Sequence, residues 1–339
     1  MTKKTMLFVS LIVLLLIGAC AKRSTAPEHS KVLELVKEVP MIGPPKEFSA
    51  DDRYVYVATE QCGLNVIDTQ TWQSRWWDEL HPGGSDSQLR LIRRASMVPE
   101  HNLLFLGEFD AADKIRIVNT SNQDSLKLHD SITGDTDNLK QIMFRAINDP
   151  AGNDIIEGYF GVSRSLTYSR YDGNFYIGRT WIIEYIPGTV SGFDITDQHA
   201  VIAVSQRGLV IYDLETRQLV GQIYVPGEAL AVKVKGNYAY VACRQNGFRV
   251  VDISNPAAPV LKGGYDKTTG HATSVDVKDN LAIVSSGGGG VYLFDITNPD
   301  TPVLKENLTS AGYTNYAAFW KDMAVVASRD QGMRFYRIR

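Results

Sequence analysis

The stretch 237–262, NYAYVACRQNGFRVVDISNPAAPVLK, returns 43 residues later as 280–305, NLAIVSSGGGGVYLFDITNPDTPVLK. Asn237, Gly247, Asp252, Pro256 and Pro259 map onto Asn280, Gly290, Asp295, Pro299 and Pro302 at that same interval. A fixed interval between similar segments marks a repeat architecture. Each unit divides into four short strands. The first, 229–234, is small and branched and ends at the turn Gly236-Asn237. The second, 238–242, alternates and gives way to a polar loop closing on Gly247. The third spans 248–253, and a Ser-Asn-Pro turn leads to a fourth beginning near Val260. Period-two patterning with Gly, Asn and Pro between strands is a hairpin signature, and no helical period competes with it. Four antiparallel strands in roughly 40–45 residues is the spacing of propeller blades.

The template extends both ways. It reappears at 200–214 with Gly208 and Asp213, at 54–68 with Gly63 and Asp68, and at 323–338 with Gly332 in place and Arg337 at the Asp position. A degenerate copy at 103–119 has Asn119 where the Asp belongs. Residues 143–187 are assigned one more blade on the strands 155–162 and 166–171, without the Gly and Asp landmarks. The expected fold is all-β, a seven-bladed β-propeller of four-stranded antiparallel blades. Its blades fall at about 48–80, 89–132, 143–187, 190–227, 229–268, 272–310 and 315–339 plus 31–42. The last blade runs out of chain after three strands, and 31–40 (KVLELVKEVP) is patterned like the fourth strand 218–226 (QLVGQIYVP). An N-terminal strand completing the last sheet leaves no unpaired edge where the ring closes.

The core GFRVVDISNP (247–256), its echoes at Gly290 and Gly63, and the following Pro-Val-Leu resemble the LVIVD repeat of bacterial and archaeal surface proteins. The resemblance is close over 190–339, fair over 48–80 and poor over 89–187. It implies a β-propeller at the cell surface and brings no catalytic residues with it.

The N-terminus has a different character. Lys3 and Lys4 precede the apolar run 6–17, which is short for a membrane span and stops at small residues. Leu16-Ile17-Gly18-Ala19-Cys20 resembles the lipobox of bacterial lipoproteins. That resemblance implies a leader over 1–19, acylation of Cys20 through its thioether and new amine (with palmitate among the acyl chains), and a flexible tether over 20–30 before the propeller at 31–339. Two or more acyl chains anchor a protein stably. Ala21, rather than Asp, after the Cys points to the outer membrane or cell surface. The formal net charge of −3 becomes −5 once Lys3 and Lys4 leave with the leader, and no basic run remains, which argues against nucleic acid as a partner. Cys62 and Cys243 lie four blades apart and are read as unpaired, although an exported domain permits disulfides.

The recurring Asp68, Asp213, Asp252 and Asp295 stand immediately before a turn, where Asp bonds the next backbone amides; Asn119 can do the same, so the role is read as structural. Asp110, Asp113 and 135–138 are candidate calcium donors, but 135–138 lacks the Gly and distal Glu of a helix–loop–helix site, and these stretches read as solvated loop. The six His are scattered, with no pair at zinc-ligand spacing, and there is no Gly-x-Ser-x-Gly elbow or Walker loop. No catalytic residue, metal or cofactor is assigned.

Loops between second and third strands converge on one face of a propeller. In this register they carry Glu60, Glu108, Arg207, Arg244, Arg329 and Asp330, while Arg145, His271, Tyr313 and Tyr316, near the starts of blades, are placed at the channel mouth. Mixed charges, amides and aromatics around a funnel suit a polar ligand, a glycan or a protein loop. Trp72, Trp76 and Trp77 are assigned to an outer strand, either packing between blades or forming a partner patch. The functional expectation is a lipid-anchored, non-enzymatic interaction module outside the cytoplasm. The alternatives are a propeller hydrolase or lyase with a channel-bound metal, and a carbohydrate-binding surface lipoprotein.

Overall fold

In the computed structural model, residues 32–81, 87–109, 114–134, 136, 138–172 and 176–339 are described. Seven four-stranded antiparallel sheets follow one another along the chain. The blades, numbered 1 to 7, span 47–77, 92–132, 139–183, 192–223, 231–265, 274–308, and 314–338 together with 33–39. This is the expected propeller, with each blade's first strand innermost and its fourth outermost.

Burial sorts the strands by position. Second strands such as Tyr54–Ala58, His199–Val204 and Leu281–Ser285 are buried along nearly their whole length. They lie mid-sheet with a blade packed on either face, which is why they read as continuous apolar runs rather than as alternation. The outer strand Val303–Leu308 alternates between exposed and covered positions, and Gln73–Trp77 is mostly open. The core is therefore a series of layers between blades. Tyr240, Phe248 and Val250 of blade 5 meet Val275, Tyr292 and Phe294 of blade 6 in one such layer. Phe105 of blade 2 stacks on Phe144 of blade 3 with ring centroids 3.8 Å apart. Aromatic contacts of this kind add to the burial of apolar area.

The landmark glycines have one structural cause. Gly63, Gly208, Gly247, Gly290 and Gly332 open their third strands with φ between +69° and +88°. A Cβ at each would stand 2.1–2.4 Å from a carbonyl oxygen of the fourth strand or its end. Left-handed backbone and close approach both require Gly here. At Gly332 the opposing carbonyl belongs to Val39, so the N-terminal strand fills the fourth-strand place.

That strand, Leu33–Val39, pairs antiparallel with Gly332–Ile338 from Leu33↔Ile338 to Val39↔Met333, with a bulge at 35–37. Arg334–Glu38 at 3.2 Å and Arg339–Glu34 at 2.8 Å flank it. Because third strands descend from the loop face, this strand rises, and the chain enters it at Leu33 on the face opposite the loops. One expectation needs correction: Trp72 is not in the outer strand, which begins at Gln73. It occupies the preceding turn with φ 59°, and its ring meets Phe335 of blade 7 at 4.9 Å.

Leu33 is 2% exposed, and Leu33→Ala is expected to cost about 2–5 kcal/mol. Because the strand closes a ring, the loss should appear as a lower midpoint of a single cooperative unfolding transition in urea. A separate early transition confined to blade 7 would contradict this.

Candidate functional site

The seven innermost strands enclose a cavity of about 440 Å³ on the propeller axis. Each has one edge paired within its blade and one edge facing the channel, and side chains from the preceding blade serve the channel edge. Glu47 accepts from the Ala95 N–H at 3.2 Å and Ser49 from the Met97 N–H at 2.9 Å, joining blades 1 and 2. Ser96 accepts from the Phe144 N–H at 2.9 Å. Gln141 brackets Phe193, accepting from its N–H at 2.8 Å and donating to its carbonyl at 2.9 Å. Asp194 accepts from the Val234 N–H at 2.8 Å. Ser274 and Asp276 accept from the N–H groups of Ala317 at 3.2 Å and Phe319 at 2.8 Å. Two junctions differ. Between blades 5 and 6, Lys233 occupies the position held by Asp194 and Asp276 in the flanking blades, and no such acceptor bond is made among the described residues. Between blades 7 and 1, Asn315 donates to the Pro45 carbonyl at 2.7 Å and the Trp320 indole to the Asp51 carbonyl at 2.8 Å.

The channel is charged as well as polar. Arg94 pairs with Glu47 at 3.1 Å, and Lys233 with Asp194 at 3.4 Å. Burial raises the pKa of Glu47 and of Asp276, against the pull of Arg94 and of backbone amides respectively. Tyr316 is pushed well above its ordinary value by burial and by the nearby Glu47 and Asp276 carboxylates.

The loop face is built separately. Glu60, Ser205, Arg244 and Gly287 occupy equivalent places in four blades, each bridging to the start of the next inner strand at Ile92, Ala229, Ala272 and Thr314. All four are left-handed, with φ 53°, 34°, 46° and 52°. Glycine satisfies that conformation without strain, so blades 1, 4 and 5 hold a side chain there at an energetic cost. Arg244 is exposed and pairs with Glu228, lowering the Glu228 pKa. Glu60 holds Lys46 at 3.0 Å and Arg93 at 2.9 Å. Arg207 and His271 are open to solvent. The Arg329 guanidinium lies 4.3 Å over the Tyr313 ring and contacts Asp330 at 3.2 Å.

Three assigned residues are placed otherwise. Glu108 is on the loop side but only 1% exposed; it accepts from Arg116 at 2.8 Å and from the Arg90 N–H at 3.0 Å, tying down the long connection into blade 2. Arg145 is not at the channel mouth: it lies toward the far end of Leu139–Asn148 and pairs with Glu157 at 2.5 Å. Tyr316 is inside the channel rather than at its rim. The channel residues Gln141, Asp194, Lys233 and Asp276 were absent from the sequence assignment. The Asp/Lys/Asp succession at one place in three consecutive repeats was the signal that could have found them.

Cys62 and Cys243 are free, and burial pushes the Cys243 thiol up to about 12. Of the two outer-strand tryptophans, Trp77 packs into the layer between blades 1 and 2 and Trp76 is 41% exposed, so they present no paired aromatic platform. Among the described residues, no three His, Cys, Asp or Glu side chains come together as metal donors. Asp110, Asp113, Asp135, Asp137 and Cys20 lie outside the described residues.

The repeated aspartates are turn caps. Asp68, Asp252 and Asp295 each accept from the N–H two residues on at 2.9 Å, Asp213 accepts from the Thr216 N–H at 2.6 Å, and Asn119 does the same for Ser121 at 2.9 Å. The Arg53 guanidinium holds Asp68 down at about 2. Amide and hydroxyl donors lower the other three. A depressed folded-state pKa contributes stability that is complete above the unfolded value near 3.9 and is lost as pH falls through the folded value. Glu47 and Asp276 have the opposite sign, since their raised values favour the folded state as pH falls. Between about pH 4 and 2, Asp68→Asn should therefore lose less stability than the parent. Urea midpoints measured against pH check this, and parallel curves would contradict it.

No curated protein matches the chain. Among solved structures, it is similar to the β-propeller domain of Myceliophteria thermophila Cps50 (Swd1), with 9% identity, 91% of this chain and 100% of that one covered, and a TM-score of 0.68. It is also similar to the RRP9 WD40 repeats, with 14% identity, 91% and 99% covered, and a TM-score of 0.70. Identities this low speak for the fold alone. The LVIVD repeat model matches residues 226–267 and 269–310, which contain blades 5 and 6. The chain is thus a seven-bladed β-propeller carrying LVIVD repeats.

Proposed function

We propose that this chain is a lipid-anchored, extracytoplasmic interaction module that holds a protein partner on its loop face. The observation that carries the reading is directional. The chain enters the ring at Leu33 on the face opposite the loops, so an anchor N-terminal to Leu33 would join the ring from that side and leave the loop face free for a partner. That face keeps Arg207, Arg244, His271, Tyr313 and Arg329 at its surface, and the left-handed Arg244 costs stability that Gly would not. Aromatic and Arg side chains on a rigid scaffold are the usual anchors of protein interfaces. The lipobox-like Leu16–Cys20 motif supports the anchor and the compartment.

Labelling with an alkyne analogue of palmitate should mark the full chain, and Cys20→Ser should lose both the label and membrane retention. In-cell cross-linking of the anchored protein tests the face. The double variant Arg244→Glu/Arg329→Glu should reduce recovery of the cross-linked partner at least about tenfold. Arg217→Glu, in a turn on the opposite face, should leave it unchanged. Equal recovery from all three would overturn the assignment of the face, and an unlabelled parent chain would overturn the anchor.

A further inference from the structure

One place recurs near the start of every third strand, the second residue after the position of the landmark glycine. In four blades its side chain holds the connection by which the chain enters that blade. Asn65 donates to the Ile42 carbonyl at 3.1 Å, Arg116 to the Gln88 carbonyl at 3.0 Å and Arg334 to the Ser310 carbonyl at 2.6 Å. The Tyr292 hydroxyl accepts from the Thr269 N–H at 2.8 Å. Both arginines also face a glutamate, Glu108 at 2.8 Å from Arg116 and Glu38 at 3.2 Å from Arg334. Val210 and Arg249 hold the place in blades 4 and 5.

Blade 3 has Thr167 there. Its cross-strand neighbour Phe160 lies in the layer between blades 2 and 3, and Ile182 stands across from it as Glu38 does from Arg334. Thr167 is 0% exposed, and its hydroxyl oxygen is buried without a hydrogen-bond partner. With a short side chain in place of a long one, a cavity of about 370 Å³ opens beside it, lined also by Val162, Ser165, Ile182 and Glu184. Ser165 gives its proton to the Val162 carbonyl at 3.2 Å, so its oxygen remains an acceptor. Glu184 is exposed and makes no ion pair among the described residues. Arg179, on the same lining, is not free. A buried hydroxyl left unpaired is unfavourable and calls for a partner.

We propose that this cavity receives an arginine side chain of the protein partner, in the place that Arg116 and Arg334 fill from within in blades 2 and 7. This rests on the reading of a protein partner at the loop face and names the side chain it supplies there. A guanidinium carries donors and no acceptor. The cavity offers the matching set: the Glu184 carboxylate and the hydroxyl oxygens of Ser165 and Thr167. The carboxylate repeats the part of Glu108 and Glu38, and charge-assisted hydrogen bonds of this kind are the stronger ones. Val162 and Ile182 give the methylene stem an apolar wall. An acidic side chain would meet Glu184 with like charge. An apolar one would leave the Thr167 hydroxyl buried and unpaired.

The test uses the whole protein and two probes of one shape, n-propylguanidinium and n-propylurea. In titration calorimetry the guanidinium should bind at least about tenfold more tightly than the urea. Thr167→Arg should fill the cavity from within and abolish binding. Glu184→Gln, at an exposed position, should remove most of the guanidinium's advantage without shifting the melting temperature, and it decides the matter if Thr167→Arg folds poorly. Equal affinity for the two probes, or unchanged guanidinium affinity in either folded variant, would overturn the site. In-cell cross-linking then reads the partner. Thr167→Arg and Glu184→Gln should each lower its recovery at least about threefold, and full recovery from both would overturn the partner's arginine even where the probe binds. Failure of the partner reading itself is read separately, as equal recovery from the parent and Arg244→Glu/Arg329→Glu.

Discussion

The channel edge of the innermost strands is the constraint on which the rest of the ring depends. Backbone N–H and C=O groups on a free edge need partners, and this propeller supplies them from the preceding blade. A carboxylate, amide or hydroxyl on one inner strand accepts from an N–H on the next, at Ala95, Met97, Phe144, Phe193, Val234, Ala317 and Phe319. These bonds set the spacing at which the apolar layers between blades close. They also explain why a channel through an all-β core is lined by Glu, Ser, Gln and Asp.

That solution has an electrostatic consequence. Each carboxylate used as a latch carries a charge into the channel, where Arg94 pairs with Glu47 and Lys233 with Asp194. Lys233 does so by replacing an acceptor, which leaves its own junction to blade 6 without a latch. The channel and the loop face thus divide the polar residues between them. The channel holds the ring together. The loops, bridged blade to blade at Glu60, Ser205, Arg244 and Gly287, hold long side chains at the surface of a rigid body.

Much of the fold was legible because the constraints on it are local. A left-handed glycine facing a carbonyl and an Asp capping the next turn recur at fixed places in blades 1, 4, 5 and 6, so period and landmarks give strands and their order. Blade 3 obscured itself for physical reasons. Gly158 makes room for the Phe144 ring, and Glu157 turns to Arg145, which breaks the alternation a strand is read from. The site was less legible because its contacts are not local. Each latch joins residues 40 to 52 apart in the chain and uses whichever acceptor the position allows. Glu108 and Arg145 looked available for binding because sequence shows a charge but not the partner, Arg116 or Glu157, that takes it.

Amide hydrogen exchange on the whole protein tests the latched ring most directly. The N–H groups of Phe193, Val234 and Phe319, each held by a side chain of the preceding blade, should exchange as slowly as amides inside the sheets. Those of Val275 and Phe48 follow junctions where Ala231 and Tyr316 make no such bond, and they should exchange markedly faster. Equal exchange at the two sets would contradict the account, because the channel edge would then be satisfied without the side chains assigned to it.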